Sequence, residues 1–329
     1  MTMKLDAAAA QRIPGMIEPV EQELLFSLAQ SLALVPGDCV IEFGTFFGRS
    51  THCIAQGLAA NPGFSRENGL AVYDSFRCAK DGAFAPYVLQ FANLGEVSHL
   101  LQADGESIDF REIFTHYLRD YIEHLSIQVV QSELADSQPP AGAIAMLHID
   151  SPKFYSEFKT IAFRFLPRLR AGAIVVFQDF FYPWSASLVA VTVLMVRSGI
   201  LAIGGSAASS LVTRVQRTPT LQELAEFDLL LDRADTIPGL IDEAIRLCSG
   251  LPLDRKEQFL PRLHLAKFQC LWEQGAYADA ARLVQDFFSA GYRLNQAVLN
   301  DFMEMLGKGF SVRRSYERDH RALTSAGTR

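Results

Sequence analysis

Apolar positions along the chain follow two spacings. Between Glu21 and Leu34 they recur at Leu24, Leu25, Leu28 and Leu32, three or four residues apart, which predicts an amphipathic helix. Pro36-Gly37-Asp38 ends that helix and turns the chain. Val40-Ile41-Glu42-Phe43 follows, a short run whose β-branched residues suit a central strand. Similar runs lie at Leu70–Asp74, Ile127–Val130, Met146–Asp150 and Ala173–Asp179, and helical patterns at Thr51–Ala60 and Tyr155–Leu169 lie among them. Leu188 to Val196 reads as a buried helix, and Leu201–Gly205 with Ser210–Val215 as a hairpin-like pair. Helices alternating with continuously apolar strands predict an α/β fold: a doubly wound, mostly parallel, Rossmann-like sheet with helices on both faces.

Past Thr218-Pro219 only helical periodicity remains, broken at Pro238-Gly239, Gly250 to Pro252, Gly275 and Gly291. The expected organisation is a frayed lead at 1–15, the α/β domain at 16–217, an all-helical C-terminal region at 218–308 and a loose tail at 309–329. Near 262–291 the positions of Trp272, Gly275, Tyr277 and Ala280-Ala281 resemble one tetratricopeptide-type helix pair. Such arrays need about three repeats to bury a core. The region is therefore expected to pack on the sheet domain, on a second copy or on a protein partner. The excursion from Arg77 to Leu125 is rich in aromatics, with helices expected at Tyr87–Phe91 and Phe110–Tyr121. It suits a lid and substrate wall, or an added helical layer.

The 329 residues are 49% hydrophobic and 20% charged, an ordinary globular balance. A net charge of −7 argues against a general nucleic-acid binder, which needs a basic surface. No basic start leads into an apolar core, and the longest apolar run is too short to cross a bilayer, so a cytoplasmic protein without membrane contact is expected. The five cysteines are odd in number and form no CxxC pair, which fits reduced thiols.

Candidate chemistry gathers at strand ends. Gly44 and Gly48 let backbone approach a ligand, or simply pack, and a helix starting at Ser50 offers donors to an anion. Glu42 sits at the end of the strand before them. Asp74 could accept both hydroxyls of a ribose, or form a turn with Ser75. Thr45-Phe46-Phe47 replaces the small residues of a GxGxxG loop, which leaves little room for a dinucleotide's pyrophosphate, and no GxSxG elbow occurs.

Together, Glu42-Phe43-Gly44, Gly48-Arg49-Ser50, Asp74, Ile149-Asp150 and Leu166 to Asp179 resemble the class I S-adenosylmethionine-dependent methyltransferases. Within that class they look like the branch of sugar and macrolide O-methyltransferases and cephalosporin-hydroxylase-type proteins. That resemblance implies S-adenosylmethionine held by Glu42, Gly44, Gly48 and Ser50, its ribose on Asp74, and its adenine near Ser132 and Glu133. The branch's Asp-Gly-Asp-His motif is here Asp150-Ser151-Pro152-Lys153, closer to the Asp-x-x-Lys of catechol-type enzymes. By that likeness Asp150 and Lys153 are the catalytic pair, and Asp150, Gln178 and Asp179 could offer oxygen ligands to Mg²⁺. The sequence thus supports O-methylation of a small hydroxylated molecule. The alternative is a degenerate domain that acts as a cofactor-binding or interaction module through its C-terminal helices.

Overall fold

The computed structural model describes residues 3–300 apart from 83, 152–154, 183–185, 232, 234, 252–255, 294–295 and 297–299. The expected tail at 309–329 lies outside the described residues. Seven strands take the order β6-β2-β1-β7-β8-β10-β9. The chain packs as two compact units, Met1–Ser151 with Arg168–Ala173, and Pro152–Pro167 with Ile174–Arg329.

The first unit opens with α1 (Ala7–Arg12), capped by the Asp6 side chain on Ala9 N, and α2 (Pro19–Ser31), entered through Pro19. β1 (Cys39–Phe43) is buried at every residue, as befits a strand flanked on both sides. α3 (Arg49–Ala59) lies against α2, and a Cβ on Gly57 would come within 2.4 Å of the Phe26 carbonyl oxygen. β2 (Gly69–Asp74) pairs in parallel with β1, and β6 (Gln128–Gln131) in parallel with β2. β7 (Ile144–Ile149) runs parallel to β1 on its other side. The order therefore reverses between β1 and β7. In open α/β sheets the crevice at such a switch point is where ligands bind.

Between β2 and β6 the excursion builds β3 (Arg77–Ala79), α4 (Ala85–Leu94), β4 (Gln102–Asp104), β5 (Ser107–Asp109) and α5 (Arg111–Leu125). Its strands form a separate antiparallel sheet in the order β3-β5-β4. Both expected helices are there; the small sheet was not expected.

The lead is not frayed over its described part. Ala10 and Ile13 are buried, and the Arg49 guanidinium donates from Nε to the Ile13 carbonyl at 2.6 Å and from Nη1 to the Gly15 carbonyl at 2.8 Å. An alanine run gives no hint of such an anchor.

The second unit holds α6 (Tyr155–Arg164) and most of the apolar end of β8 (Leu169–Phe177). α6 stops short of the expected Leu169, and a short 3₁₀ turn containing Pro167 follows. Then come α7 (Ala186–Arg197) and the hairpin of β9 (Leu201–Ala207) and β10 (Ser210–Val215), with β10 antiparallel to β8. α7 is buried from Leu188 to Met195 and needs cover on more than one face. α8 (Leu221–Leu231), α9 (Thr236–Ser249) and α10 (Lys256–Glu273) all pack against it. The compact unit consequently runs through the expected boundary at 217/218. α10 and α11 (Tyr277–Ser289) pack together, with Leu271, Ala280 and Leu283 between them.

α8 begins with a capping box. Thr220 Oγ1 accepts from Glu223 N at 3.2 Å, and Glu223 Oε2 accepts from Thr220 N at 2.9 Å. Arg217 adds two bonds to the same carboxylate. Hydrogen bonds from Arg217, then from Thr220 N, hold the Glu223 carboxyl down at about 2, below its usual value of 4.5. Its contribution is therefore complete above pH 4.5 and is lost as pH falls towards 2. Thr220→Ala should cost about 1 kcal/mol in urea unfolding at neutral pH. The gap between variant and wild type should narrow in acid.

Candidate functional site

The C-terminal ends of β6, β2, β1 and β7 line up. Gln131 faces Asp74, Tyr73 faces Phe43, and Phe43 faces Ile149. This register brings Glu42, Gly44, Asp74, Ser132 and Asp150 to one edge of the sheet.

Glu42 is fully buried, and its carboxylate accepts from Thr51 Oγ1 at 2.6 Å and pairs with His148 Nδ1 at 3.2 Å. It lies one residue before the end of β1 and is bonded to the first turn of α3 through Thr51. Neither Thr51 nor His148 is singled out by the sequence. His148 is 106 residues from Glu42, and only the strand register joins them. Burial and the Glu42 charge push the nearby Cys53 thiol up to about 12, and burial and Asp38 push Cys39 up to about 11. Both are inert small hydrophobes.

Gly44 and Gly48 both have positive φ, 81° and 96°. A Cβ on Gly44 would sit 2.7 Å from Ser151 N, and one on Gly48 would sit 2.4 Å from Leu118 Cδ2. Close packing against backbone demands glycine at Gly44, and at Gly48 the positive φ adds to a crowded side-chain contact. Gly48 also takes the N-cap, so α3 starts at Arg49, one residue earlier than expected, with Ser50 inside its first turn. No side chain caps this end. Its first-turn N–H groups therefore keep their capacity to bind an anion.

Asp74 is the centre of the edge. Its Oδ2 accepts from Thr45 N at 2.8 Å and Phe46 N at 3.0 Å, and its Oδ1 from Phe76 N at 2.7 Å. Thr45 Oγ1 adds a long contact at 3.4 Å. Burial raises the carboxyl above its usual value, against the downward pull of the three amides. Asp74 is thus an anchor for the turn, and it also forms the sequence-local bond to Phe76 expected of a turn residue. Ser132 N donates to the Asp74 carbonyl at 3.0 Å, and Ser132 Oγ meets Ser137 Oγ at 2.9 Å. Glu133 is exposed beside it.

Phe46 holds a left-handed φ of 50° and stacks on Phe47 at 4.0 Å. Phe84, Phe91 and Phe110 of the excursion meet the Phe46 ring edge-on at 5.5 to 5.8 Å. The excursion therefore packs directly on the glycine turn.

Asp150 N donates to the Phe43 carbonyl at 2.9 Å, and its side chain is half-buried. Lys153 and Pro152 lie outside the described residues. Gln178, buried, and Asp179, half-buried, follow β8 in the second unit. Among the described residues no group of three or more His, Cys, Asp or Glu side chains is placed to hold a metal ion. The expected trio contains only two such side chains. Phe180 and Phe181 belong to the core, and Tyr182 lies under the Arg262 guanidinium at 4.5 Å.

Residues 41–180 match the family described as "Methyltransferase domain". This stretch is similar to a methyltransferase domain. It runs from the middle of β1 to just past Asp179 and so spans Glu42 to Asp179. No curated protein matches the chain. Among solved structures, the O-methyltransferase NovP is similar at 17% identity and a TM-score of 0.42, covering 62% of this chain and 83% of NovP. CalS11, a TDP-rhamnose 3'-O-methyltransferase of calicheamicin biosynthesis, is similar at 19% and 0.38, covering 59% and 77%. An O-methyltransferase from Bacillus cereus, solved with SAH, is similar at 14% and 0.37, covering 64% and 87%. Among the described residues, no helix is long and apolar enough to cross a membrane.

Proposed function

We propose that this chain transfers a methyl group from S-adenosylmethionine to an oxygen of a small hydroxylated molecule. One observation carries the reading: a half-buried carboxylate, Asp74, stands at the switch-point edge beside a helix start that no side chain caps. A carboxylate has about four acceptor sites. Three amides use part of that capacity, two on Oδ2 and one on Oδ1, and Oδ1 keeps room to accept from a ribose hydroxyl. The first turn of α3 suits the cofactor's own carboxylate. Gly44, Gly48 and Ser50 shape that end of the site, Glu42 supports it from below, and Ser132 and Glu133 flank the adenine.

Bound there, S-adenosylmethionine would supply an electrophilic methyl for in-line displacement. Asp150 orients the acceptor hydroxyl, and Lys153 takes its proton. Asp150, Gln178 and Asp179 are oxygen donors that fit a divalent cation such as Mg²⁺ better than a softer metal. The acceptor is a small molecule rather than a nucleic acid, in keeping with the charge of −7, and the setting is cytoplasmic.

Calorimetric titration with S-adenosylmethionine should give saturable binding, and its absence would overturn the reading. Methyl transfer to a panel of hydroxylated acceptors should then fall when Mg²⁺ is chelated. Turnover indifferent to chelation and to Asp179→Ala would remove the metal. A second reading, a domain that binds cofactor without turnover and works through its helices with a second copy or a protein partner, is favoured by one observation. Trp272, Tyr277, Val284 and Phe288 on α10 and α11 are exposed. Binding without transfer to any acceptor would select it.

A further inference from the structure

Glu42, Thr51 and His148 form a buried polar knot under the turn. Glu42 and His148 side chains are both 0% exposed, and Thr51 is fully buried as well. Removing a carboxylate from water is costly, and a fold gains as much stability from well-packed apolar side chains of similar volume. Stability alone therefore does not account for a carboxylate here. What the knot does achieve is a rigid joint. It ties the end of β1 to the first turn of α3 through the 2.6 Å bond to Thr51, and to the end of β7 through the 3.2 Å contact with His148. An ionised Glu42 can only accept, which makes Thr51 Oγ1 and His148 Nδ1 the donors.

Each tie ends beside a part of the site. Thr51 stands three residues after Gly48, in the helical turn whose amides face the site, and His148 stands two residues before Asp150. We propose that His148 is a positioning residue for the cofactor: through Glu42 it fixes Thr51, and with it the first turn of α3. The proposal rests on the cofactor site of the preceding subsection. His148 touches no cofactor atom. It sets the angle at which the α3 amides meet the anion, where a misplacement of even 1 Å is costly.

The test uses the full chain and two matched pairs of variants. Thr51→Val removes the hydroxyl at nearly constant shape, while Thr51→Ser keeps it. His148→Leu removes the donor, while His148→Asn places an amide N–H close to the position of Nδ1. Calorimetric Kd for S-adenosylmethionine is measured for each, with near-UV circular dichroism as the check on folding. Thr51→Val and His148→Leu should weaken binding about tenfold or more, and Thr51→Ser and His148→Asn should restore it to within about threefold. Should His148→Leu not fold, the Thr51 pair decides alone. Equal affinity of Thr51→Val and wild type overturns the proposal, as does equal weakening by Thr51→Val and Thr51→Ser, which would make the site steric. If wild type itself binds no S-adenosylmethionine, the cofactor reading falls first and this one with it.

Discussion

Asp74→Asn should destabilise the protein by about 2 to 3 kcal/mol in urea unfolding without cofactor, before any ligand is considered. The reason is geometric. Asp74 accepts on both oxygens, from Thr45 N and Phe46 N on one and from Phe76 N on the other. An amide offers one acceptor, so its NH₂ must face an N–H whichever way it is turned. Asp74→Ala leaves all three amides without this acceptor and should cost about 4 kcal/mol. Both variants should also lose S-adenosylmethionine binding, because the turn and the ribose use the same carboxylate. A variant Asp74→Asn as stable as wild type yet unable to bind would show that the turn does not depend on this anchor.

Gly44→Ala should be more damaging than Gly48→Ala, by about 3 to 4 against about 2 kcal/mol. Positive φ penalises both equally. The difference lies in what the new methyl meets. At Gly44 it meets Ser151 N, Cβ and Cα at 2.7, 2.8 and 2.9 Å, and a backbone can yield only if the end of β7 moves. At Gly48 it meets the tip of Leu118 at 2.4 Å and the edge of Phe114 at 3.0 Å, and the leucine can change rotamer. Parallel urea titrations give the ranking. The reverse order would mean that α5 is held more rigidly than the β1–β7 edge. Because Asp150 follows β7 directly, Gly44→Ala should also impair turnover more than its loss of stability explains.

The parts of this fold that were legible in the sequence are those whose side chains state their own environment. β1, β2 and β7 are buried along nearly their whole length, and such strands announce themselves as runs that are apolar apart from Glu42, His148 and the terminal Asp74. α7 did so as well. The small sheet did not, since three-residue strands are too short for a period, and only Asp104-Gly105 marked the turn between β4 and β5. At the site the residue types were legible and their partners were not. Asp74 was visible as an acid after a strand, but two of its donors are backbone amides of Thr45 and Phe46, which no residue type marks. Gly44 and Gly48 were visible as glycines, while the reason for them lies in Ser151 and Leu118, far along the chain. The start of α3 shifted by one residue because a left-handed glycine outcompeted serine for the cap.

The hold of Arg49 on Ile13 and Gly15 changes what the lead is. Arg49 is the residue after Gly48, and burial lowers its pKa, so its guanidinium depends on those two carbonyls for much of its solvation. Residues 3–15 therefore behave as a tethered peptide ligand of the turn. Cutting the chain between Gly15 and Pro19 would convert a folding problem into a binding one, and adding the excised peptide back in trans should restore the turn in a concentration-dependent way.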